Sequence, residues 1–169
     1  MLEGELTRIQ ELLSIYVTNL KDTVTVIDAG TNTILKTIPL PAGSGPIGIA
    51  TTPDGSGANV ANEGINTVTV INTATDTILA TIFLLAGSGP VKIAITPDGS
   101  HAYVTNLHNR TITVINTATS TILTTIPLPA DGDPGGIAIT PDSSRAYVAN
   151  ELSSTSSLII IQSTIDTLF

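Results

Sequence analysis

The chain has 169 residues, a formal net charge of −8, 41% hydrophobic and 12% charged residues, and no cysteine. This length predicts one domain, the hydrophobic content excludes a disordered chain, and the lack of cysteine excludes disulfides, thiolate metal sites and cysteine nucleophiles. The acidic charge and the 3% of aromatic residues argue against a nucleic-acid partner, and no apolar run is long enough to predict a transmembrane helix.

The N-terminal segment, residues 1–15, allows two interpretations. Its apolar residues recur at roughly helical spacing, which indicates a short amphipathic helix, but residues 6–9 also fit a degenerate inner β-strand. The apolar positions are Leu2, Leu6, Ile9, Leu12 and Leu13. The segment carries Glu3, Glu5 and Glu11 and lacks a basic region before an apolar run, so no secretory signal is predicted.

From Tyr16 onward the sequence repeats with a spacing of 43 or 44 residues. One anchor motif occurs in four copies, at Tyr16–Asn19, Asn59–Asn62, Tyr103–Asn106 and Tyr147–Asn150. The copies divide the chain into units at about 16–46, 47–90, 91–134 and 135–169. A repeat of this length that contains several short strands is typical of a β-propeller blade.

Each unit is predicted to hold four short antiparallel strands, rich in the β-branched residues threonine, valine and isoleucine. In the third unit they are 91–96, 101–106, 111–116 and 121–128. A Pro-Asp-Gly turn, which is Pro-Asp-Ser in the last unit, follows the first strand, and its aspartate (Asp54, Asp98 or Asp142) is explained as a turn residue. Because charged residues are scarce on both faces, the blades are expected to pack face to face.

The anchor Tyr103-Val104-Thr105-Asn106, the Pro-Asp-Gly turn and the segment Val114-Ile115-Asn116 with its following Thr-Ala-Thr resemble the YVTN-type β-propeller repeats of surface-layer-like proteins. The resemblance implies an all-β propeller of four-stranded antiparallel blades, with about four repeats in this chain. It implies an extracellular or cell-surface location and a role in scaffolding or interaction. Related propellers include lactonases and lyases.

The family that this resemblance suggests closes with six to eight blades, so four units predict completion by association with further copies, in a ring or a filament. Apolar residues that depart from the repeat are candidates for assembly contacts. They are Phe83 and Leu85 on an outer strand, where other units have proline, and Leu158, Ile159, Ile160, Ile161 and Ile165 in the last unit. A locally covered edge and ordinary sequence drift are the alternative explanations.

The loops that follow the second strand of each unit differ most in sequence, which favours them as a binding surface. Their candidate interaction residues are Lys21, Asp22, Glu63, His108, Arg110 and Glu151. They lie on the same predicted face as the glycine-rich loops between the units.

Candidate chemical groups are few. The two histidines, His101 and His108, are predicted at opposite ends of one blade, so they share no metal. Asp131 and Asp133 are weak calcium candidates that a plain acidic turn also explains, and Asn109 begins a possible N-glycosylation motif. No catalytic residue and no cofactor is predicted.

These patterns predict a non-enzymatic cell-surface or extracellular protein that self-assembles through its terminal blade faces and binds protein or glycan by its loop face. The alternative interpretations are a small lactonase-like or lyase-like propeller enzyme, and a piece of a longer propeller. An enzyme would need His, Glu or Asp side chains that converge at one central site.

Overall fold

The computed structural model describes residues 14–129, 132–150 and 159–162. Within these ranges every regular element is a β-strand, and the strands form four antiparallel sheets, the blades. The all-β propeller architecture predicted from the repeats is therefore confirmed. Among the described residues, no helix is found that could cross a membrane.

The first two blades follow one another in chain order. Blade 1 has the strand order β1-β2-β3 and blade 2 has the order β4-β5-β6-β7. The strands are β1 Ser14–Asn19, β2 Thr23–Asp28, β3 Thr33–Pro39, β4 Pro46–Thr51, β5 Gly57–Asn62, β6 Thr67–Asn72 and β7 Thr77–Phe83. Blade 2 has the full set of four strands, and β4 is its inner strand and β7 its outer strand.

Blades 3 and 4 repeat this arrangement. Blade 3 has the order β8-β9-β10-β11, and blade 4 has β12-β13-β14. The strands are β8 Pro90–Ile95, β9 His101–Asn106, β10 Thr111–Asn116, β11 Thr121–Pro127, β12 Pro134–Ile139, β13 Arg145–Asn150 and β14 Ile159–Gln162. The inner strands β4, β8 and β12 lie next to one another.

The core consists of apolar layers between successive blades. Between blades 2 and 3, for example, Val68 and Ile82 of one sheet pack against Val104 and Ile115 of the next. Similar clusters join blade 1 to blade 2 and blade 3 to blade 4. Both faces of a middle blade are buried in this way, which explains why the strands contain so few charged residues.

Two different sets of connections lie at the two ends of the blades. The β-turns after the second strand contact the glycine-rich loops that join consecutive blades, as when Leu107 N donates to Gly89 O and His108 N donates to Ser88 O. We call this end the loop face. The Pro-Asp-Gly turns meet the turns before the outer strands at the other end, the turn face, where Thr117 N donates to Ser100 O.

The structure changes some predicted boundaries. β1 begins at Ser14, so Ser14 and Ile15 belong to blade 1 and not to the N-terminal segment. β8 begins at Pro90, and β11 ends at Pro127. The choice between a helix and a strand for the N-terminal segment concerns residues 1–13, which lie outside the described residues.

The predicted assembly residues are only partly described. Phe83 and Leu85 are 77% and 63% exposed. The described residues therefore do not cover this outer edge, which was the alternative explanation for the two residues. Ile159, Ile160 and Ile161 lie in β14, which pairs with β13. Leu158 and Ile165 lie outside the described residues. The role of these residues in assembly stays a prediction.

Candidate functional site

On the loop face, a residue at a recurring turn position ties each blade to the loop that leads into the next blade. In blade 1 this residue is Asp22, which has a φ of 57°. Its carboxylate accepts hydrogen bonds from Gly43 N at 2.8 Å and from Gly45 N at 2.9 Å. These backbone donors, Gly45 first, hold the pKa of the Asp22 carboxyl below its usual value.

The same position carries Asn66 in blade 2 and Arg110 in blade 3, both with a φ of 54°. Asn66 Oδ1 accepts from Gly89 N at 2.9 Å. Arg110 Nε instead donates to Asp133 Oδ1 at 3.0 Å, so donor and acceptor are exchanged at this junction. Asp133, a weak calcium candidate in the sequence, therefore has an arginine as its partner; Asp131 lies outside the described residues.

The loop face also brings together a histidine and a glutamate from different blades. His108 Nε2 of blade 3 lies 3.3 Å from Glu63 Oε1 of blade 2, and their side chains are 53% and 35% exposed. The backbone fixes both residues, because His108 N donates to Ser88 O and Glu63 N donates to Gly45 O. This pair places a carboxylate beside an imidazole on a part of the surface that a small molecule can reach.

The imidazole of His108 covers Gly89, the residue before the inner strand β8. A Cβ atom at Gly89 would lie 2.4 Å from His108 Nδ1, so the ring occupies this place only because residue 89 has no side chain. Gly89 also has a φ of 59°, in the left-handed region that favours glycine. The loop between blades 2 and 3 therefore determines where the imidazole lies.

The inner strand β8 presents one cation, Lys92, which the sequence reasoning missed. Lys92 is exposed, whereas its neighbours Val91 and Ile93 are buried. The strand pairing shifts register between Pro90 and Lys92. At the equivalent positions of β4 and β12 the chain has Gly48 and Gly136, and this contrast within the repeats was the signal available in the sequence.

Below the loop face, the recurring asparagine at the end of the second strand is buried in blades 2 and 3. Asn106 Nδ2 donates to Thr111 Oγ1 at 3.0 Å and to Thr113 Oγ1 at 2.8 Å. Asn62 makes the equivalent bonds to Thr67 and Thr69. These asparagines therefore link the second and third strands of one blade next to the loop face.

The turn face carries a cleft of about 350 Å³ between the Pro-Asp-Gly turns of blades 2 and 3. Its carboxylates, Asp54 and Asp98, accept hydrogen bonds from their own turns, for example from Ser56 N and Ser100 N. His101 lies at this end of the blade, with Nδ1 2.6 Å from Ser100 Oγ. The histidines are therefore at opposite ends of blade 3, as predicted.

The remaining predicted residues do not join the His108–Glu63 pair. Lys21 is exposed beside Asp22, and Glu151 lies outside the described residues. The Asn109 Oδ1 atom accepts a hydrogen bond from Thr111 Oγ1 at 2.7 Å. In the part of the chain that the structure describes, no three His, Asp or Glu side chains gather into a metal site.

Residues 14–167 match the model of the family described as "Lactonase, 7-bladed beta-propeller". Because the match spans almost the whole chain, the protein belongs to this lactonase family of seven-bladed β-propellers. No curated protein matches the chain.

Solved propellers show the same fold. Hydrazine synthase of Kuenenia stuttgartiensis is 25% identical with a TM-score of 0.79, over 88% of this chain and 42% of that chain. A putative 6-phosphogluconolactonase from Bacteroides uniformis is 21% identical with a TM-score of 0.64, over 87% and 50%. Virginiamycin B lyase from Staphylococcus aureus is 21% identical with a TM-score of 0.72, over 88% and 52%. The chain thus spans about half the length of these structures.

These comparisons correct the functional prediction. The expectation of a non-enzymatic structural protein is wrong, because the chain belongs to a lactonase family, and the lactonase-like alternative is the interpretation that the comparisons support. The prediction rested on the resemblance to surface-layer-like repeats, and it considered the candidate chemical groups one blade at a time. It did not foresee that His108 and Glu63, 45 positions apart, lie at neighbouring blade ends.

Proposed function

We propose that the protein is a hydrolase that opens the ring of a small lactone, and that the reaction takes place on the loop face beside His108. The observation that carries this proposal is the contact between His108 Nε2 and Glu63 Oε1 at 3.3 Å. Membership of the lactonase family supports the substrate class. Lactone hydrolysis needs a base for water and an acid for the leaving oxygen, and histidine serves both purposes near neutral pH.

In the proposed reaction, Glu63 holds the proton of His108 on Nε2, so that Nδ1 is the basic nitrogen. Nδ1 takes a proton from a water molecule whose oxygen attacks the lactone carbonyl carbon. The ring C–O bond of the tetrahedral intermediate then breaks, and the imidazolium returns the proton to the leaving alkoxide. Lactone and water give one hydroxy acid, so atoms and charges balance.

Glu63 has the role of a positioning residue. Its carboxylate selects the tautomer of His108 and stabilises the imidazolium that forms during the reaction, as carboxylates do beside catalytic histidines in other hydrolases. Because Glu63 and His108 belong to different blades, the packing between blades 2 and 3 determines their distance. The catalytic arrangement thus depends on the propeller fold.

Substitution of His108 tests the proposal, and the other histidine provides a matched control. Acid release from five- and six-membered lactones is measured for the wild-type chain, for His108→Gln and for His101→Gln on the turn face. We expect His108→Gln to lose about 100-fold or more in kcat/KM and His101→Gln to keep wild-type activity. Equal activity of all three proteins, or none in the wild type, would overturn the proposal.

The repeats support a finer assignment to YVTN-type propellers within this family, on the anchors at 16–19, 103–106 and 147–150. An extracellular or cell-surface location and association with further copies of the chain stay predictions. Secretion of the native protein and its mass in solution are the measurements that bear on them.

A further inference from the structure

We propose that Lys92 makes the inner side of this site a receptor for a small oxyanion, a carboxylate or phosphate group on the ligand. The proposal rests on the proposed lactone hydrolysis for the identity of the substrate, but the binding of the anion itself is independent of turnover. Three features around Lys92 support it: the direction of its side chain, the glycines at the equivalent positions of the neighbouring blades, and its charge surroundings.

The direction of the Lys92 side chain follows from its strand. The sheet of blade 3 is covered by blade 2 on one face and by blade 4 on the other. Val91 and Ile93 are each only 8% exposed, yet Lys92 between them is exposed. Because both faces of this sheet are covered, the exposed Lys92 side chain extends from the free edge of β8 into the space beside the inner strands.

Thr105 fixes the backbone at this point. Its hydroxyl accepts from Lys92 N at 3.1 Å and donates to Lys92 O at 3.4 Å. Blades 2 and 4 have Ala61 and Ala149 at the equivalent position and lack this hydroxyl. The register shift itself also occurs at Gly48 in blade 2 and at Gly136 in blade 4, so the Thr105 hydroxyl adds in blade 3 a side-chain contact to the Lys92 backbone at this irregularity.

The neighbouring inner strands have glycine at the repeat position of Lys92. Gly48 approaches β8 so closely that a Cβ atom there would lie 2.6 Å from Val91 O and 3.0 Å from Lys92 Cα. Gly136 has the same repeat position in β12. At this repeat position of β4, β8 and β12, the lysine is thus the only residue that has a side chain.

The charge surroundings of Lys92 favour an external anion. The inner strands β4, β8 and β12 contain no acidic residue. Among the described residues, the ion pairs involve His108 and Arg110, and Lys92 belongs to neither. A compact ammonium group with three donors binds carboxylate or phosphate oxygens by charge-assisted hydrogen bonds.

Ion titration tests the proposal without reference to catalysis. The wild-type chain, Lys92→Met, Lys92→Arg and the control Lys36→Met are titrated with inorganic phosphate and with gluconate at constant ionic strength, followed by amide NMR. Lys36 is an exposed lysine on the outer strand β3, so its variant loses the same charge. Melting temperatures establish that each variant is folded.

We expect saturable shifts at Lys92, Gly48 and Gly136 in the wild type, in Lys36→Met and in Lys92→Arg, with binding at least about tenfold weaker in Lys92→Met. Saturation by phosphate alone or by gluconate alone identifies which oxyanion is recognised. Equal binding by Lys92→Met and the wild type, or no saturation with either ion, overturns the proposal.

Kinetics separate this proposal from the proposed function. With a carboxylate-bearing lactone, Lys92→Met should raise KM about tenfold, while a neutral lactone of the same ring size is hydrolysed as by the wild type. If the wild type hydrolyses both lactones but binds no oxyanion, only the role of Lys92 fails. If it binds oxyanions but hydrolyses no lactone, only the proposed hydrolysis fails.

Discussion

Single polar side chains at recurring positions carry much of the local order of the blades. The aspartate in each turn between the first and second strands (Pro-Asp-Gly in blades 2 and 3, Pro-Asp-Ser in blade 4) accepts hydrogen bonds from residues on both sides of it. Hydrogen bonds from the Thr96 hydroxyl, the Ser100 amide and the Ser100 hydroxyl lower the pKa of Asp98 from 3.8 to about 2. The Thr140 hydroxyl and the Ser144 groups lower the pKa of Asp142 to about 2 in the same way. These carboxylates are turn residues, ionised throughout the neutral range.

The depressed pKa of Asp98 predicts a loss of stability in acid. Because the folded-state pKa of about 2 lies below the unfolded value of 3.8, the stabilisation is present above about pH 4 and is lost as the pH falls toward 2. The double variant Asp98→Asn, Asp142→Asn should therefore show a flatter decline. Urea unfolding of both proteins between pH 7 and pH 2.5 measures this, and parallel declines would refute the prediction.

At the scale of the element, the loop before each inner strand positions the groups on the loop face. The loop that contains Gly87 and Gly89 has both glycines at positive φ, of 73° and 59°. A Cβ atom at Gly87 would meet nothing within 4 Å, whereas one at Gly89 would collide with the His108 ring. The two positions therefore separate backbone strain from displacement of the histidine.

The variants Gly89→Ala and Gly87→Ala make this separation measurable. Each should lose about 1 kcal/mol of stability or somewhat more, because alanine is strained at positive φ. Gly89→Ala alone should displace the His108 ring from Glu63, change the imidazole NMR signals and reduce lactone hydrolysis. If the histidine signals change equally in both variants, Gly89 does not determine the position of the ring.

The strands and turns could be predicted from the sequence because each repeat carries the same local signals. The 101–106 and 111–116 strands of the third unit were predicted with the boundaries that the structure has. The candidate site could not be predicted in this way. The contact of His108 with Glu63 joins loops of different blades, so it does not follow from a pattern within one unit. For Lys92 the signal in the sequence was its contrast with Gly48 and Gly136 at the same repeat position, where the strand pairing shifts register in all three blades.

At the scale of the whole molecule, polar contacts add to the apolar layers between blades. Tyr16 of blade 1 donates its hydroxyl to Asp76 Oδ1 at 2.9 Å in blade 2. Burial, then the hydrogen bond to Asp76 and its negative charge, raises the pKa of Tyr16 to about 12. In blade 2 the equivalent of this tyrosine is Asn59, so a tyrosine–aspartate hydrogen bond is not repeated between blades 2 and 3.

The raised pKa of Tyr16 predicts a loss of stability at alkaline pH. Since the folded-state pKa of Tyr16 is raised above the unfolded value of 10.0, the stabilisation is present below pH 10 and is lost as the pH rises toward 12. Tyr16→Phe should lack that additional loss and should be about 1 kcal/mol less stable at neutral pH. Asp76→Asn, which keeps an acceptor, is the control. Thermal unfolding of the three proteins at pH 7 and pH 11 measures the loss of stability. An identical pH dependence of Tyr16→Phe and the wild type would contradict this role of Tyr16.

The proposed hydrolysis depends on the contact between blades 2 and 3, and a double-mutant cycle on Glu63 and His108 tests it most directly. The measurement is kcat/KM for lactone hydrolysis by the wild type, Glu63→Gln, His108→Gln and the double variant. If the two residues act as one unit, the double variant should be no slower than His108→Gln, within about threefold. Additive losses, or full activity in His108→Gln, would contradict the proposal that this pair carries the reaction.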